Sequence, residues 1–303
     1  MEKTEKIWID GKFVNWEDAK VHVLAHALNY GTGVFEGIRA YETDKGIAVF
    51  RLKDHVKRLI GACNVMCFDL PYTEGEICEA IKETIRINKK VDYIKPCVFL
   101  CGEAVGLNPI GVPVKFAITS IYMGSYLGKD AQEKGASLMT SSWFRPWNLA
   151  APAGAKVNGI YVTSCLAKMD AKKRGFDEAL MLNAQGNVAE CSGENIFIFK
   201  RGKLYTPQVS DSILEGITRN SIMEIARDLG YEAIETEISR IDLYTADEVF
   251  MSGTAAEITA ATSVDGRPIG TGKPGKVGKQ LAAKYADIVR GKDPKYEKWL
   301  DRV

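Results

Sequence analysis

Tight-turn signals between short apolar segments constrain the fold of this chain more than any other feature of its sequence. The segment IWIDGKFV has alternating apolar residues on both sides of Asp10-Gly11, which predicts a β-hairpin. Similar hairpins are predicted at EALMLNAQGNVAE, which turns around Gly186, and at NIFIFKRGKLYTP. Amphipathic segments with helical spacing stand between the hairpins without the regular alternation of βαβ units. We therefore expect an α+β fold rather than a doubly wound parallel sheet.

The chain has 303 residues, which is enough for two domains of ordinary size. Three glycines and several charges in MGSYLGKDAQEKG predict an interdomain linker over residues 123–134. The expected division is a small N-terminal α+β domain (1–122) and a larger C-terminal α+β domain (135–303). The alternation in VHVLAH predicts another strand, and a helix is expected to close the chain.

Charge and composition exclude several classes of protein. The formal net charge is +1 and the basic residues are scattered, so we expect no nucleic-acid partner. The charged N-terminus does not resemble a signal peptide, and no apolar run approaches the length that spans a bilayer. Seven cysteines, an odd number, suit reduced thiols, so the cytoplasm is the expected location. The two C-x3-C pairs suggest zinc, but packing of small buried residues explains them better, and no metal is expected.

Two glycine-containing turns are candidate anion-binding sites. Gly216 precedes an amphipathic helix, and the N–H groups of Ile217 and Thr218 would lie at the positive end of its dipole. The turn SGTAAE, around Thr254, repeats this chemistry after a predicted strand. Two such cradles would suit one phosphate and one carboxylate. Helix capping and an ordinary tight turn are the alternatives for each.

Lys156, Tyr161 and Glu190 are candidate reactive groups. Small residues before Lys156 in AAPAGAK leave room for a flat ring against the backbone, and Tyr161 follows five residues later. Glu190 ends a predicted strand just before a short turn. Each has an ordinary alternative, namely a surface lysine, a core tyrosine and a solvated glutamate. Together they match what pyridoxal 5'-phosphate (PLP) needs, which is an amine, a donor for the ring oxygen and an acid at the ring nitrogen.

These segments closely resemble the class IV (fold type IV) aminotransferases, and among them the branched-chain amino acid aminotransferases. The resemblance runs almost end to end and rests on HALNYGTGVFEGIRAYE, YIKPCVFLCGEAVGLNP, GAKVNGIYVTSCLAK, EALMLNAQGNVAECSGENIF, ILEGITRNSIMEIA and ADEVFMSGTAAEIT. It implies a two-domain fold like that of D-amino acid aminotransferase, in which each domain has a sheet or barrel-like core with helices. It also implies PLP as cofactor and a homodimer, or a higher oligomer of dimers. The implied reaction is ping-pong transfer of the amino group of leucine, isoleucine or valine to 2-oxoglutarate.

The resemblance also implies a role for individual residues. Lys156 would form the Schiff base with PLP and move a proton between Cα and C4′, Glu190 would pair with the pyridinium nitrogen, and Tyr161 with the ring oxygen. The residues implied at the phosphate are Arg58, Ile217, Thr218 and Thr254, with Leu214 on the ring face. Family members build the substrate pocket from both domains and the partner subunit. The corresponding pocket residues are Tyr30, Phe35, Gly37, Arg39, Tyr93, Lys95, Leu107, Tyr126, Thr254 and Ala255.

Two pocket positions depart from the family pattern. Lys95 stands where the family usually has arginine, and Met123 where several members have tryptophan. We expect Lys95 to receive the distal carboxylate of 2-oxoglutarate less tightly than arginine would, unless its ammonium group extends into solvent. The remaining alternatives are a D-amino acid or (R)-amine transaminase, aminodeoxychorismate lyase, or a non-enzymatic α+β ligand-binding module. EGIR, YIKP and GLNP favour the branched-chain interpretation.

Overall fold

The structure is a computed structural model that describes residues 2–103, 105–124 and 133–303. The chain divides into two compact units. The first consists of residues 1–124, 155–159 and 288–303, and the second of residues 125–154 and 160–287. Each unit contains a sheet with helices, which confirms the predicted α+β class; the described strand pairs are all antiparallel in the first unit, whereas the second unit has a mixed sheet. The predicted linker lies largely outside the described residues, so the domain boundaries stay a prediction.

The sheet of the first unit has the strand order β18-β6-β5-β7-β8-β2-β3, while β1 pairs with β8 and β4 with β7. Its strands are β1 Glu2–Lys3, β2 Lys6–Ile9, β3 Lys12–Asn15, β4 Gly33–Phe35, β5 Ile38–Thr43, β6 Gly46–Phe50, β7 Tyr93–Leu100, β8 Val114–Tyr122 and β18 Leu300–Arg302. Its α-helices are α1 His26–Tyr30, α2 Leu52–Val65 and α3 Glu74–Asn88, and Trp16–Asp18 and Pro294–Trp299 form 3-10 turns. Thr73 and Glu76 form a capping box that starts α3.

The sheet of the second unit has the order β11-β10-β9-β16-β15-β12-β13-β14, with β17 on β16. Its strands are β9 Ala136–Thr140, β10 Glu178–Leu182, β11 Val188–Cys191, β12 Asn195–Lys200, β13 Lys203–Thr206, β14 Ala233–Glu235, β15 Glu248–Gly253, β16 Glu257–Val264 and β17 Arg267–Pro268. Its α-helices are α4 Tyr161–Lys173, α5 Ile217–Asp228, α6 Arg240–Tyr244 and α7 Lys276–Val289, the last of which ends in residues grouped with the first unit. Asn158–Ile160 and Val209–Asp211 are 3-10 turns. Apolar side chains of β10, β12, β15 and β16 form the core of this unit.

The three predicted hairpins are confirmed, because β2 pairs with β3, β10 with β11 and β12 with β13, all antiparallel. Asp10 and Gly11 both have positive φ, 46° and 87°, as a two-residue hairpin turn requires.

The strand predicted at VHVLAH is wrong. His26 begins α1, and its buried ring is 2.8 Å from Thr32 Oγ1 through Nδ1 and 3.1 Å from Gly106 O through Nε2. A histidine held at both ring nitrogens fixes a turn that the apolar alternation does not reveal. The expected helical end of the chain is also wrong, since β18 follows α7 and pairs with β6. Trp299 packs edge-on against Phe50 there, a long-range contact that local propensity cannot report.

Within the described part of the chain, no helix has the length and apolar character needed to cross a membrane.

Candidate active site

Lys156 lies in a short segment that is bound to strand β4 of the first unit. Phe35 N donates a hydrogen bond to Lys156 O at 3.1 Å, and Val34 forms an antiparallel bridge with Val157. Lys156 is partly buried, and its Nζ is 4.9 Å from the centre of the Phe35 ring. The lysine is thereby held by its backbone on one side and by an aromatic ring at its amine.

Glycines make the close approach of this segment to β4 possible. Gly159 N donates to Gly31 O at 3.1 Å, and a Cβ added to Gly31 would lie 2.7 Å from Gly159 Cα. Gly31 also has φ +69°, which side chains rarely adopt. A Cβ on Gly33 would meet Asn158 Nδ2 at 2.8 Å. The position of the Lys156 backbone therefore depends on glycine at 31 and 33.

Lys95 contacts the same aromatic ring. Strand β7 alternates so that Ile94 and Pro96 are buried while Lys95 is exposed, and Lys95 Nζ is 4.9 Å from the centre of the Phe35 ring. Phe35 thus contacts two ammonium groups, those of Lys95 and Lys156. Two cations beside one apolar ring can attract a ligand that has both an anionic group and an apolar portion.

The other expected pocket residues of this unit fall into separate contacts. A Cβ on Gly37 would lie 2.2 Å from Tyr93 Oη, so only glycine fits beside that tyrosine. Arg39 is buried, donates to Gly124 O and is 3.9 Å from Asp92. These contacts hold the three expected residues in defined positions along β5 and β7.

Tyr30 belongs to a different contact, because its Oη accepts a hydrogen bond from Gly106 N at 3.1 Å. It thereby supports the loop that carries Leu107, whose side chain is exposed. Tyr126 lies outside the described residues. The structure therefore brings Phe35, Lys95 and Lys156 together.

Arg58, expected at the phosphate, takes part in a buried cluster with Glu36 and His55. Its guanidinium donates to both Glu36 oxygens, at 2.6 Å from Nε and 2.9 Å from Nη2. His55 Nδ1 is 2.8 Å from Glu36 Oε2. Burial alone would raise the pKa of Glu36, but the Arg58 charge and the hydrogen bonds of His55 and Arg58 lower it below its ordinary range. Burial lowers the pKa of His55. Glu36 therefore stays ionised and fixes the direction of the Arg58 fork.

Glu190 lies at the end of β11 in the second unit and is 6% exposed. Arg145 Nε is 3.0 Å from its Oε1. Its Oε2 accepts hydrogen bonds from Asn195 Nδ2 at 3.0 Å and from Leu214 N at 3.1 Å. The solvated alternative is excluded, since this glutamate is buried and held by two hydrogen-bond donors and an ion pair.

The first predicted anion cradle lies at the start of α5. Gly216 is the N-cap residue of α5. Because glycine has no side chain, the N-cap residue makes no side-chain hydrogen bond to the N–H groups of the first turn. A Cβ on Gly216 would lie 2.0 Å from Asn195 Oδ1, which leaves room only for glycine. Ile217 and Thr218 are both buried. This terminus has the close backbone approach and positive dipole end that phosphate binding needs.

The second predicted cradle follows β15. Ser252 pairs with Asn195 across β12 and β15, and the Gly253–Thr254–Ala255 turn comes directly after it. Within the described part of the chain, the buried Ser252 Oγ has no hydrogen-bond partner. Thr254 and Ala255 are partly buried. Asn195 therefore connects Glu190, the α5 terminus and the end of β15.

These residues fit the cofactor that the sequence implies. The α5 terminus is a cradle that a Cβ would fill, and Ser252 Oγ is a buried polar atom that no described residue partners. Glu190 offers a buried carboxylate suited to a protonated ring nitrogen. Tyr161 is the partly buried first residue of α4, and Leu214 adjoins the Glu190 carboxylate through its N–H.

Sequence reasoning did not find Arg145, Asn195, Glu36 or His55. The sequence signals were weak, because Arg145, Glu36 and Asn195 are polar residues beside apolar ones, as at the start of NIFIF, and His55 stands among charged residues in LKDHVKRL. A buried polar residue usually has a partner, but the sequence does not say which one.

The other motifs of the chain have structural explanations. The glycine-rich turn before α7 is occupied by Glu248, whose carboxylate accepts from Val277 N at 2.9 Å and Gly278 N at 2.8 Å. A phosphate at this turn would be opposed by the negative charge of the Glu248 carboxylate. All seven cysteines are free thiols, and burial raises the pKa of Cys63 to about 12. Of the two C-x3-C pairs only Cys63 is buried, whereas Cys97 and Cys101 are partly buried and Cys67 is exposed, so the expectation of buried packing is wrong for Cys67. Among the described residues, no group of three or more histidine, cysteine or acidic side chains could hold a metal ion.

Comparison with known proteins shows the family of the chain. The sequence model of the family Amino-transferase class IV matches residues 33–264. The chain is 45% identical over 298 residues to the branched-chain-amino-acid aminotransferase of Pseudomonas aeruginosa, covering 98% of this chain and 97% of that protein.

Two crystal structures of the T.th. branched-chain amino acid aminotransferase are also similar. The complex with N-(5'-phosphopyridoxyl)-L-glutamate is 47% identical with a TM-score of 0.95, and the complex with 4-methylvaleric acid is 46% identical with a TM-score of 0.94. Each match covers 100% of this chain and 99% of the other. The chain therefore belongs to the class IV aminotransferases and, within them, to the family of branched-chain amino acid aminotransferases.

Proposed function

We propose that this protein is a PLP-dependent transaminase that moves the amino group of branched-chain L-amino acids to 2-oxoglutarate, giving branched-chain 2-oxo acids and L-glutamate. The observation that carries the proposal is the match over nearly the whole chain to branched-chain-amino-acid aminotransferases. The ligands of the two T.th. complexes represent both half-reactions, because one is a glutamate derivative of the cofactor and the other an acid with a branched chain. A ping-pong reaction requires one site to accept both in turn.

The cofactor-binding residues divide the chemistry between them. When bound, PLP supplies an electron sink that makes the substrate Cα proton acidic. The Lys156 amine would hold the cofactor covalently and would carry the proton between Cα and C4′. Glu190 would pair with the pyridine nitrogen, and Tyr161 would donate to the ring oxygen. The proposed phosphate ligands are Arg58, the α5 terminus at Ile217 and Thr218, and Thr254, with Leu214 on the ring face.

Substrate recognition needs one anion site and one pocket of mixed character. The N–H groups of Thr254 and Ala255 are suited to the α-carboxylate that all substrates share. Phe35 gives an apolar surface for a leucine-like side chain, and Lys95 beside it gives a positive charge for the distal carboxylate of 2-oxoglutarate. The remaining proposed pocket residues are Tyr30, Gly37, Arg39, Tyr93, Leu107 and Tyr126.

A homodimer, in the cytoplasm, completes the proposal. Five apolar side chains in the segments 21–30 and 105–110 are between 64% and 86% exposed, namely Val23, Leu28, Val105, Leu107 and Ile110. Ala25, in the first of these segments, forms an antiparallel bridge with Glu103, which lies two residues before the second. Apolar groups exposed to this extent favour burial against a second copy of the chain. Light scattering after size exclusion should give about twice the mass of the chain, and a monomer would contradict this part of the proposal.

A substrate screen tests the function. The protein with added PLP is incubated with leucine, isoleucine and valine, in both enantiomers, and 2-oxoglutarate, and glutamate is measured. We expect activity with the L-enantiomers, and Lys156→Ala should lower it by at least about 10²–10⁴-fold, since one amine acts as both anchor and general acid/base. The exposed Lys173→Ala is the matched control and should leave the rate unchanged. Borohydride should fix the cofactor on the peptide that contains Lys156. Equal activity in Lys156→Ala, or a preference for D-enantiomers, would contradict the proposal.

A further inference from the structure

Arg145 is a buried cation beside the proposed cofactor-binding acid. It lies in the segment after β9 and is only 4% exposed. Its Nε is 3.0 Å from Glu190 Oε1 and 3.1 Å from Ser212 O, and its Nη2 is 3.2 Å from Ala153 O. Burial of a guanidinium is costly unless it is paired, and its ionic partner here is Glu190.

The remaining contacts of Glu190 fix its second oxygen. Asn195 Nδ2 and Leu214 N both donate to Oε2. Asn195 Nδ2 is itself held by a 2.8 Å hydrogen bond to Leu214 O. Oε1, in contrast, has Arg145 as its charged neighbour. Because a carboxylate oxygen can accept more than one hydrogen bond, this contact does not prevent a further donor from reaching Oε1.

We propose that Arg145 is a positioning residue that keeps Glu190 ionised and oriented toward the pyridine nitrogen of the cofactor. The proposal rests on the proposed function. In a buried site, a lone carboxylate beside a protonated pyridine can relax to a neutral acid and a neutral ring, because desolvation penalises both charges. A cation on the other side of the carboxylate favours its ionised form, so the proton stays on the ring nitrogen. Arg145 thereby maintains the electron sink without touching the cofactor.

A purely structural role is the competing explanation, because Arg145 also joins two backbone segments through Ser212 O and Ala153 O. The two roles differ in what they require. The electrostatic role needs a positive charge near Glu190, which lysine can supply. The structural role needs the planar, multi-donor guanidinium, which lysine cannot replace.

The test compares Arg145→Lys and Arg145→Gln, with Arg174→Gln at an exposed arginine as the control. Cofactor-free protein is titrated with PLP for its Kd, the absorption spectrum of the bound cofactor is followed from about pH 6 to 9, and kcat and Tm are measured. We expect Arg145→Gln to lower kcat by about tenfold to a hundredfold, the range of a lost charged hydrogen bond. The absorption spectrum of the cofactor bound to Arg145→Gln should change over this pH range, whereas that of the cofactor bound to the unmodified protein should not. Arg145→Lys should keep both properties closer to those of the unmodified protein, whatever its Tm.

A double variant makes the test independent of how well Arg145→Gln folds. Arg145→Gln combined with Glu190→Gln leaves no unpaired buried charge. If Arg145 acts through Glu190, the double variant should have the same kcat as Glu190→Gln alone. A further loss of tenfold or more, or equal losses of kcat in Arg145→Lys and Arg145→Gln that follow Tm, would overturn the proposal. Transamination by the unmodified protein and its dependence on Lys156 are unaffected by that result, so failure of the proposed function would be recognised separately.

Discussion

Alanine at Gly216 is a sharp probe of the proposed phosphate cradle, because the structure gives the clash that it would cause. The added Cβ would lie 2.0 Å from Asn195 Oδ1, well inside contact distance. Gly216 has φ −72° and ψ 132°, a conformation that alanine adopts without strain. The expected effect is therefore steric, and either Asn195 or the start of α5 must move.

The size of the effect follows from what Asn195 holds. Overpacking of this kind costs about 1–3 kcal/mol of stability. Displacing Asn195 also weakens its bond to Glu190, and shifting the α5 terminus misaligns the N–H groups of Ile217 and Thr218. Hydrogen bonds to charged groups contribute about 1.5–3 kcal/mol each, and every 1.4 kcal/mol is about tenfold in affinity. Gly216→Ala should therefore weaken PLP binding by about tenfold to a hundredfold.

Two other glycines give matched controls. A Cβ on Gly275 would lie 2.0 Å from Glu248 Cδ, an equally severe clash at the start of α7, so Gly275→Ala should lower Tm without changing PLP affinity. A Cβ on Gly75, in the first turn of α3, would meet nothing within 4 Å, so Gly75→Ala should leave PLP affinity unchanged and should not lower Tm. PLP affinity is measured by fluorescence titration and Tm by thermal unfolding. If Gly216→Ala lost stability as Gly275→Ala does yet bound PLP normally, the cradle assignment would be refuted.

Three further predictions concern charged groups. Lys95→Ala should raise KM for 2-oxoglutarate by about tenfold to a hundredfold and leave KM for 4-methyl-2-oxopentanoate unchanged, because only 2-oxoglutarate has a distal carboxylate. Equal effects on both KM values would show that Lys95 does not bind this carboxylate. Glu36→Gln should weaken PLP binding by about tenfold, because the Arg58 guanidinium loses its ionic partner. An unchanged Kd for PLP would mean that Arg58 does not bind the phosphate. Burial and the nearby Glu178 charge raise the pKa of Glu194 from 4.5 to about 8, so the folded protein binds a proton that the unfolded chain has released. The stability that this proton contributes is fully present below the unfolded pKa of 4.5 and is lost as the pH rises through about 8. Between these pH values Tm should therefore fall less steeply in Glu194→Gln than in the unmodified protein.

The features predictable from sequence are those that local chemistry determines. The hairpins follow from turn residues flanked by alternating apolar positions, as at Asp10-Gly11. The α5 cradle follows from one glycine before an amphipathic helix. Lys156 is different, because nothing in AAPAGAK distinguishes a reactive lysine from a surface one. Its assignment needed resemblance to a family, and its contacts with Phe35 and β4 became visible only in the structure.

The features that sequence reasoning missed are partnerships between residues far apart in the chain. Arg145 is 45 residues before Glu190 in the numbering, and Glu36 is 19 residues before His55 and 22 before Arg58. No local period links such positions, so the sequence does not indicate which residues are partners. The error at His26 has the same origin, since its ring bonds to Gly106 O, 80 residues away.

The ion pairs Arg58–Glu36, partly buried, and Arg145–Glu190, buried, suggest why the missed residues matter chemically. PLP carries an anionic phosphate at one end and a basic ring nitrogen at the other, so its proposed protein ligands must include a cation and an anion. Alone, either charge would be costly to bury. Arg58 is paired with Glu36, and Glu190 is paired with Arg145, so each ligand has a supporting group of opposite sign. The support neutralises the local charge enough to allow burial, and it also fixes the direction in which the remaining donors or acceptors point. Removing a supporting residue should therefore weaken both the fold and the binding of the cofactor, and the effect on the cofactor separates these pairs from ion pairs that serve stability alone.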